Sequence, residues 1–199
     1  MSDRPRVAEI DRASLETTVA VRLDLDGSGI TDIATGVPFF DHMLDQLGRH
    51  GRLGLDVRAT GDLEVDSHHT VEDVGIALGE ALALALGDKA GIRRYGDALV
   101  PMDESLVSSA LDASGRSLLV YRADIPAETI GSYEVSLTEE FLLALCRSAG
   151  LTLHVRMLEG RNAHHATEAV YKSVARALAE AVSIDERAGG AIPSTKGAL

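Results

Sequence analysis

Apolar and polar positions change rhythm along the chain, and the changes mark out its elements. Residues 6–25 alternate loosely and are rich in Val, Leu and Thr, which predicts a strand. Asp26-Gly27-Ser28-Gly29 breaks the alternation as a turn, and a second strand runs on to about Thr35. Over residues 37–51, VPFFDHMLDQLGRHG, apolar residues recur at helical spacing, with Pro38 near the start and Gly51 at the end. RLGLDVRATGD returns to strand. Residues 71–87, VEDVGIALGEALALALG, predict a long helix so rich in Ala and Leu that more than one of its sides must be buried.

The same order then recurs. ALVPMDESLVSSALDASG and RSLLVYRADI read as strands, SLTEEFLLALCRSAG as a helix, LTLHVRMLEG as a strand and ATEAVYKSVARALAEAV as a helix. LGLDVR (53–58) aligns with LTLHVR (151–156), and HHTVED (68–73) with HHATEA (164–169). The two spacings differ by two residues, an indel in the loop between strand and motif. The expectation is one mixed α/β (α+β) domain over residues 1–199. It is an internal duplication of two β-β-α-β-α halves, about 6–92 and 93–188, each a small sheet with helices on one face. The halves would share a face-to-face core. Residues 189–199 are rich in Gly and carry one Pro, and they read as a mobile C-terminal tail.

Composition narrows the function. Hydrophobic residues make up 45% of the chain, enough for an ordinary core. A formal net charge of −12 argues against nucleic-acid and anionic-membrane partners, whose phosphates it would repel. A small anion needs only a few placed cations and stays open. Cys146 is the only cysteine, so no internal disulfide forms, and FLLALCRSAG makes it a small buried apolar residue. MSDRPRVAEID has no apolar targeting core, and no run approaches the roughly 18 apolar residues of a membrane span. The expected location is the cytoplasm.

The histidines carry the chemistry. Four of the seven fall in the two matched pairs, each followed by a glutamate four positions after its first member. On a helix, positions i and i+4 share a face, while i+1 is turned by about 100°. His68 therefore converges with Glu72, and His164 with Glu168, but neighbouring imidazoles diverge. Adjacent ligands aimed apart suggest two different metal ions. His42 lies in the first helix, and His154 lies on the strand that leads into the second motif. Six imidazoles and two carboxylates would make two sites of three His and one Glu. Such thiolate-free sites suit Mn(II), Fe(II) or Zn(II), with open positions for Lewis-acid chemistry. Asp41 and Asp73 lie beside the motifs as candidates to orient a ligand imidazole.

Arg94, Arg116, Lys172 and Lys196 are candidates to hold an anion. Lys172 sits one helical turn after Glu168 and so on the same face. Pro193-Ser194-Thr195-Lys196-Gly197 offers hydroxyls and a cation suited to closing over a phosphate. LDLDGSG (23–29) superficially suggests a calcium loop, but Thr35 stands where the bidentate acid is needed, and a hairpin turn explains the stretch.

Together LETT, FFDHML, HHTVED, RRYG, DASGR, LTLH, HHATEA with YK, and PSTKG resemble the imidazoleglycerol-phosphate dehydratase family, in the same order from Ala8 to Leu199. The resemblance implies a fold of two similar α/β halves and a 24-subunit homo-oligomer with sites between neighbouring chains. It implies two Mn(II) ions per site, bound through His42, His68, His69, Glu72, His154, His164, His165 and Glu168. It implies a phosphorylated imidazole substrate. Arg94, Arg116, Lys172, Ser194, Thr195 and Lys196 would hold its phosphate end, with Glu16, His42, Gln46 and His50 also facing it. The carbon-bound hydrogen to be lost is acidified by no carbonyl, so the imidazole must act as electron source. As an imidazolate it can expel hydroxide, giving a diazafulvene-like intermediate. Glu16, with Glu72 or Glu168, would move the protons. Ser14 stands where many relatives have Thr, a conservative departure. Two other functions use the same ligands: a dinuclear phosphate-ester hydrolase and a metal-storage shell.

Overall fold

The computed structural model describes residues 5–197; Ala198 and Leu199, the end of the expected tail, lie outside the described residues. Three strands open the chain: β1 (Val7–Ala13), β2 (Thr17–Asp24) and β3 (Thr31–Ala34). Helix α1 (Pro38–Gly51) leads to β4 (Gly54–Gly61), and α2 (His68–Leu86) closes the first half. The second half runs β5 (Tyr95–Met102), β6 (Ser105–Asp112), β7 (Leu118–Arg122), a small hairpin β8 (Thr129–Ile130) and β9 (Tyr133–Glu134), α3 (Leu137–Ala149), β10 (Thr152–Glu159) and α4 (Ala163–Val182).

The class and the duplication hold, and the two four-stranded sheets have one topology. Their orders are β1-β2-β4-β3 and β5-β6-β10-β7, each with two antiparallel pairings and one parallel pairing. Each four-stranded sheet has one strand more than the β-β-α-β-α unit expected, and the second half adds the small β8-β9 hairpin. The run 6–25 is a hairpin, β1 and β2, turning at Leu15-Glu16; the equivalent run in the second half turns at Asp103-Glu104. Neither turn contains Gly or Pro. In the first, Ser14 Oγ accepts the backbone N–H of Glu16 (3.1 Å) and Thr17 (3.0 Å); in the second, Asp103 adopts a left-handed φ of 49°. A side-chain cap and a strained aspartate thus do the work usually signalled by glycine.

Helix α1 shows how the chain encodes its elements. Pro38 sits in the first turn, Asp41 complements the helix N-terminus, and Arg49 and His50 lie in the last turn. Phe40, Met43, Leu44 and Leu47 bury one stripe completely. Its phase leaves His42 on the opposite, exposed side. Helix α4 begins at Asn162, whose side chain accepts the N–H groups of His164 and His165, fixing the turn that carries the second motif.

The helices of the two halves face each other between the sheets. Helix α2 packs on β1, β2 and α3, while α4 packs on β5, β6 and α1. The α2–α3 approach is close because α2 places Gly75 and Gly79 there: a Cβ on Gly79 would lie 2.6 Å from Ser148 Cβ. One apolar cluster runs through both halves. The segment after α4 folds back on the junction between the halves through Asp185 N–H to Gly91 O (2.8 Å) and Gly91 N–H to Ala191 O (2.9 Å). No described helix is long and apolar enough to cross a membrane.

Candidate active site

The first turns of α4 gather a charged cluster. Glu168, its side chain only 7% exposed, sits 3.1 Å from His164 Nε2 and 2.6 Å from Lys172 Nζ, one turn on either side. His42 reaches over from α1 of the first half, Nε2 to Glu168 Oε2 3.4 Å. Ligand atoms of His42, His164 and Glu168 all lie within 4.8 Å of one another. Phe39 forms an apolar wall: its ring centroid is 5.2 Å from that of His164 and 5.4 Å from that of Tyr133. Burial pushes the Glu168 carboxyl up, but Lys172 and then His42 outweigh it and hold the group below its ordinary value. The carboxylate is therefore ionised and ready to ligate or to accept protons.

The start of α2 holds the equivalent residues in a looser arrangement. His68 Nε2 lies 3.8 Å from Glu72 Oε2, and both side chains are more than two-fifths exposed. His69 Nδ1 is 3.0 Å from Asp62 Oδ2 and 3.9 Å from Glu16 Oε2. Asp62 is the main cause of a raised His69 pKa. In the second motif His165 Nδ1 donates to Glu104 Oε2 at 2.8 Å, and that bond raises the His165 pKa and lowers that of Glu104. Neighbouring imidazoles diverge in both motifs, with ring centroids 6.2 Å apart and planes at 83° and 79°.

Asp41 and Asp73 serve other ends than orienting imidazoles. Asp41 accepts from the N–H (2.9 Å) and hydroxyl (2.5 Å) of Thr35 and so fixes the start of α1. Asp73 pairs with Arg12 (3.0 Å) and the Thr17 hydroxyl, tying α2 to the first hairpin. Asp62 and Glu104 occupy the places beside the rings.

The cations fall into two groups. Lys172 stands with Glu168. Arg94, at a left-handed φ of 76°, grips Asp112 through two bonds of 2.7 and 3.2 Å and donates to Pro193 O at 2.8 Å. Arg116, in the loop after β6, lies 3.6 Å from the same Asp112. The tail meets Arg94 through Pro193, and Ser194 Oγ accepts the N–H of Lys196 at 3.2 Å. Lys89 is buried nearby, and desolvation, reinforced by Arg94, lowers its pKa. Thr195 is exposed in the same tail. Gln46 follows His42 by one turn of α1, and His50 ends that helix; burial and then the charges of Lys172 and Arg176 lower the His50 pKa.

His154 stands apart within the chain. Alternation in β10 buries Leu153 and Val155 against the helices and turns His154 to the exposed outer face. Sequence reasoning passed over Asp62, Glu104 and Asp112, whose contacts span loops, and Lys89, which burial alone distinguishes.

Known proteins agree with the fold and the motifs. The family model of IGPD, imidazoleglycerol-phosphate dehydratase, matches residues 35–178. The chain is 56% identical over 194 residues to the imidazoleglycerol-phosphate dehydratase of Halorhodospira halophila, covering 98% of each. It is 57% identical over 194 residues to that of Paracoccus denitrificans, covering 98% of this chain and 100% of the relative. The crystal structure of the Staphylococcus aureus enzyme superposes with a TM-score of 0.82 at 35% identity, covering 90% of this chain and 99% of that one. IGPD from Pyrococcus furiosus gives 0.79 at 33% identity, covering 96% and 100%. By both sequence and fold, this chain belongs to the imidazoleglycerol-phosphate dehydratase family.

Proposed function

We propose that the protein is a hydro-lyase of histidine biosynthesis. It dehydrates D-erythro-1-(imidazol-4-yl)glycerol 3-phosphate to 3-(imidazol-4-yl)-2-oxopropyl phosphate. The observation that supports this most is the convergence of His42, His164 and Glu168. An imidazole from one half meets an imidazole and a buried carboxylate from the other, and the family relationship supplies the reaction.

The donor set fits a divalent ion. It offers two imidazole nitrogens and an ionised carboxylate oxygen, with no thiolate, since Cys146 is buried and its pKa is pushed up to about 12 by that burial. We assign two Mn(II) ions per site. His42, His68, His69, Glu72, His154, His164, His165 and Glu168 would hold them, with His42, His164 and Glu168 already converging within one chain. His154, on the outer sheet face, would ligate only across a subunit contact, in keeping with a homo-oligomer of 24 chains. Bound there, two divalent ions would supply positive charge that stabilises an ionised substrate imidazole.

The chain's own residues do the rest. Glu16, exposed at the tip of the first hairpin and 3.9 Å from His69, moves the carbon-bound proton. Glu72 or Glu168 is its partner. Arg94, Arg116, Ser194, Thr195 and Lys196 hold the phosphate through charge and hydroxyls, and Lys172 approaches from the Glu168 side. Such a water-borne substrate and the absence of a membrane-crossing helix among the described residues fit work in the cytoplasm.

The test is an assay of Mn(II)-loaded protein with the glycerol phosphate substrate, following ketone formation and phosphate release together. Ketone without free phosphate is expected; phosphate release without ketone would instead make it a hydrolase. Glu16→Gln should lower turnover by about 10²–10⁴-fold with Mn(II) content unchanged. Wild-type turnover in that variant would remove Glu16 from the mechanism.

A further inference from the structure

Residues 88 positions apart are equivalent in the two hairpins, since Val7 pairs with Asp24 as Tyr95 pairs with Asp112. By that register Glu16 corresponds to Glu104, each the second residue of its two-residue turn. His69 and His165 correspond as second members of the histidine pairs. The duplication therefore made the same glutamate–imidazole pair twice, and the two copies have diverged. Glu104 Oε2 takes the Nδ1–H of His165 at 2.8 Å, and its Oε1 takes the N–H groups of Asn162 (2.7 Å) and Arg161 (3.2 Å). Glu16 stays 3.9 Å from His69 and is 55% exposed, because Asp62 holds that ring instead.

The difference lies in the first loop residue after the strand that leads into each motif. The loop from β4 to α2 is the longer one and begins at Asp62; the loop from β10 to α4 is shorter and begins at Gly160, which brings no carboxylate. Where the loop supplies an acceptor, the hairpin glutamate is released. Where it does not, the hairpin glutamate must serve. We propose that Glu104 is a positioning residue: it fixes His165 by Nδ1 and the loop before α4 by its amides, so that Nε2 is the ligand atom. Asp62 does the same for His69 and thereby leaves Glu16 free to react. Nε2 of His165 now faces only the exposed Asp103 carboxylate, 3.5 Å away. An acceptor on the far nitrogen of a ligand imidazole fixes its tautomer and orientation and raises its basicity.

This inference rests on the dimanganese dehydratase reading, and Mn(II) binding separates the two. Metal-stripped protein is titrated with Mn(II) against a competing chelator, giving the affinity of each equivalent. Wild-type protein is expected to bind two. Glu104→Ala should weaken one equivalent about 10–100-fold, and Asp62→Ala should weaken one by a similar factor. Glu16→Ala should leave both affinities as in wild type while turnover falls, although it is the repeat equivalent of Glu104. Glu104→Gln keeps an acceptor for the two loop amides and so covers the case in which the alanine variant does not fold. It should melt near the wild-type temperature yet still bind one equivalent several-fold more weakly. Wild-type affinity in Glu104→Gln with only a lowered melting temperature would make Glu104 a loop anchor and overturn the proposal. So would an affinity loss in Glu16→Ala equal to that in Glu104→Ala. Wild-type protein that bound no Mn(II) would remove the dehydratase reading first.

Discussion

The two motifs are nearly the same in sequence and sit at the start of equivalent helices, yet their surroundings differ. Glu168 is buried, paired with Lys172 and approached by His42 from the other half. Glu72 is 42% exposed and touches only His68, at 3.8 Å. One turn further on, Lys172 in α4 is matched by Ile76 in α2, so the first motif lacks its own cation. One motif is assembled within the chain, and the other lies open on its surface.

The sharpest way to break the contrast is to remove each carboxylate from metal-free protein. Glu168→Ala leaves Lys172 without its partner at a site only 16% exposed, and such a loss costs about 3–5 kcal/mol. Glu72→Ala removes a solvent-screened contact worth under about 1 kcal/mol. Denaturant unfolding of the two variants measures the difference. Equal losses would mean that both motifs are equally built into the fold.

The helix seams sharpen the comparison next. Gly75 and Gly79 of α2 correspond in the repeat to Tyr171 and Ala175 of α4. The α2 glycines let α3 come close, while Tyr171 is wholly buried and stacks on Phe141 at 5.6 Å. Gly to Ala inside a helix ordinarily stabilises by about 1 kcal/mol. At Gly79 the sign should reverse, because the new Cβ would meet Ser148 Cβ at 2.6 Å and Leu145 O at 2.8 Å. A loss of about 1–3 kcal/mol is expected for Gly79→Ala in the same unfolding experiment. A gain would show that the seam can relax.

How far the sequence revealed this depends on the range of each contact. Helices announce themselves through local periodicity, so α1 and α4 were legible, and so was the divergence of adjacent imidazoles. The duplication was legible because LGLDVR and LTLHVR keep the same rhythm. The hairpin turns were hidden, since strand alternation continues through Leu15-Glu16 and Asp103-Glu104 without a glycine. The partners of the imidazoles were hidden for a different reason. Glu104 reaches His165 across 61 positions, and no local pattern encodes that. His154 shows information present but unused: with Leu153 and Val155 apolar, alternation alone places the imidazole on the other face.

The smallest expected effect is the one read by pH. His69 and His165 have pKa values raised above the ordinary 6.5, first by their bonds to Asp62 and Glu104. A raised folded-state pKa gives stability that is complete below 6.5 and lost as pH rises through the folded value. Both halves therefore contribute to a decline on the neutral side. Glu168 has the opposite sign. Its pKa is held below 4.5, so its stability is present above 4.5 and lost as pH falls through the lower folded value. Asp26 and Asp45 of the first half and Glu104 of the second are lowered too, so Glu168 supplies one part of that acid decline. In chelator-stripped protein, Glu168→Gln should shrink the acid limb and leave the neutral limb in place, whereas His69→Asn should shrink the neutral limb alone. Unfolding free energies measured across the pH range test both. A neutral limb unaffected by His69→Asn would mean that the Asp62 contact is not formed in the metal-free protein. An acid limb unchanged in Glu168→Gln would show that the buried carboxylate is not ionised before metal arrives, and with it the distinction between an assembled and a displayed motif would fall.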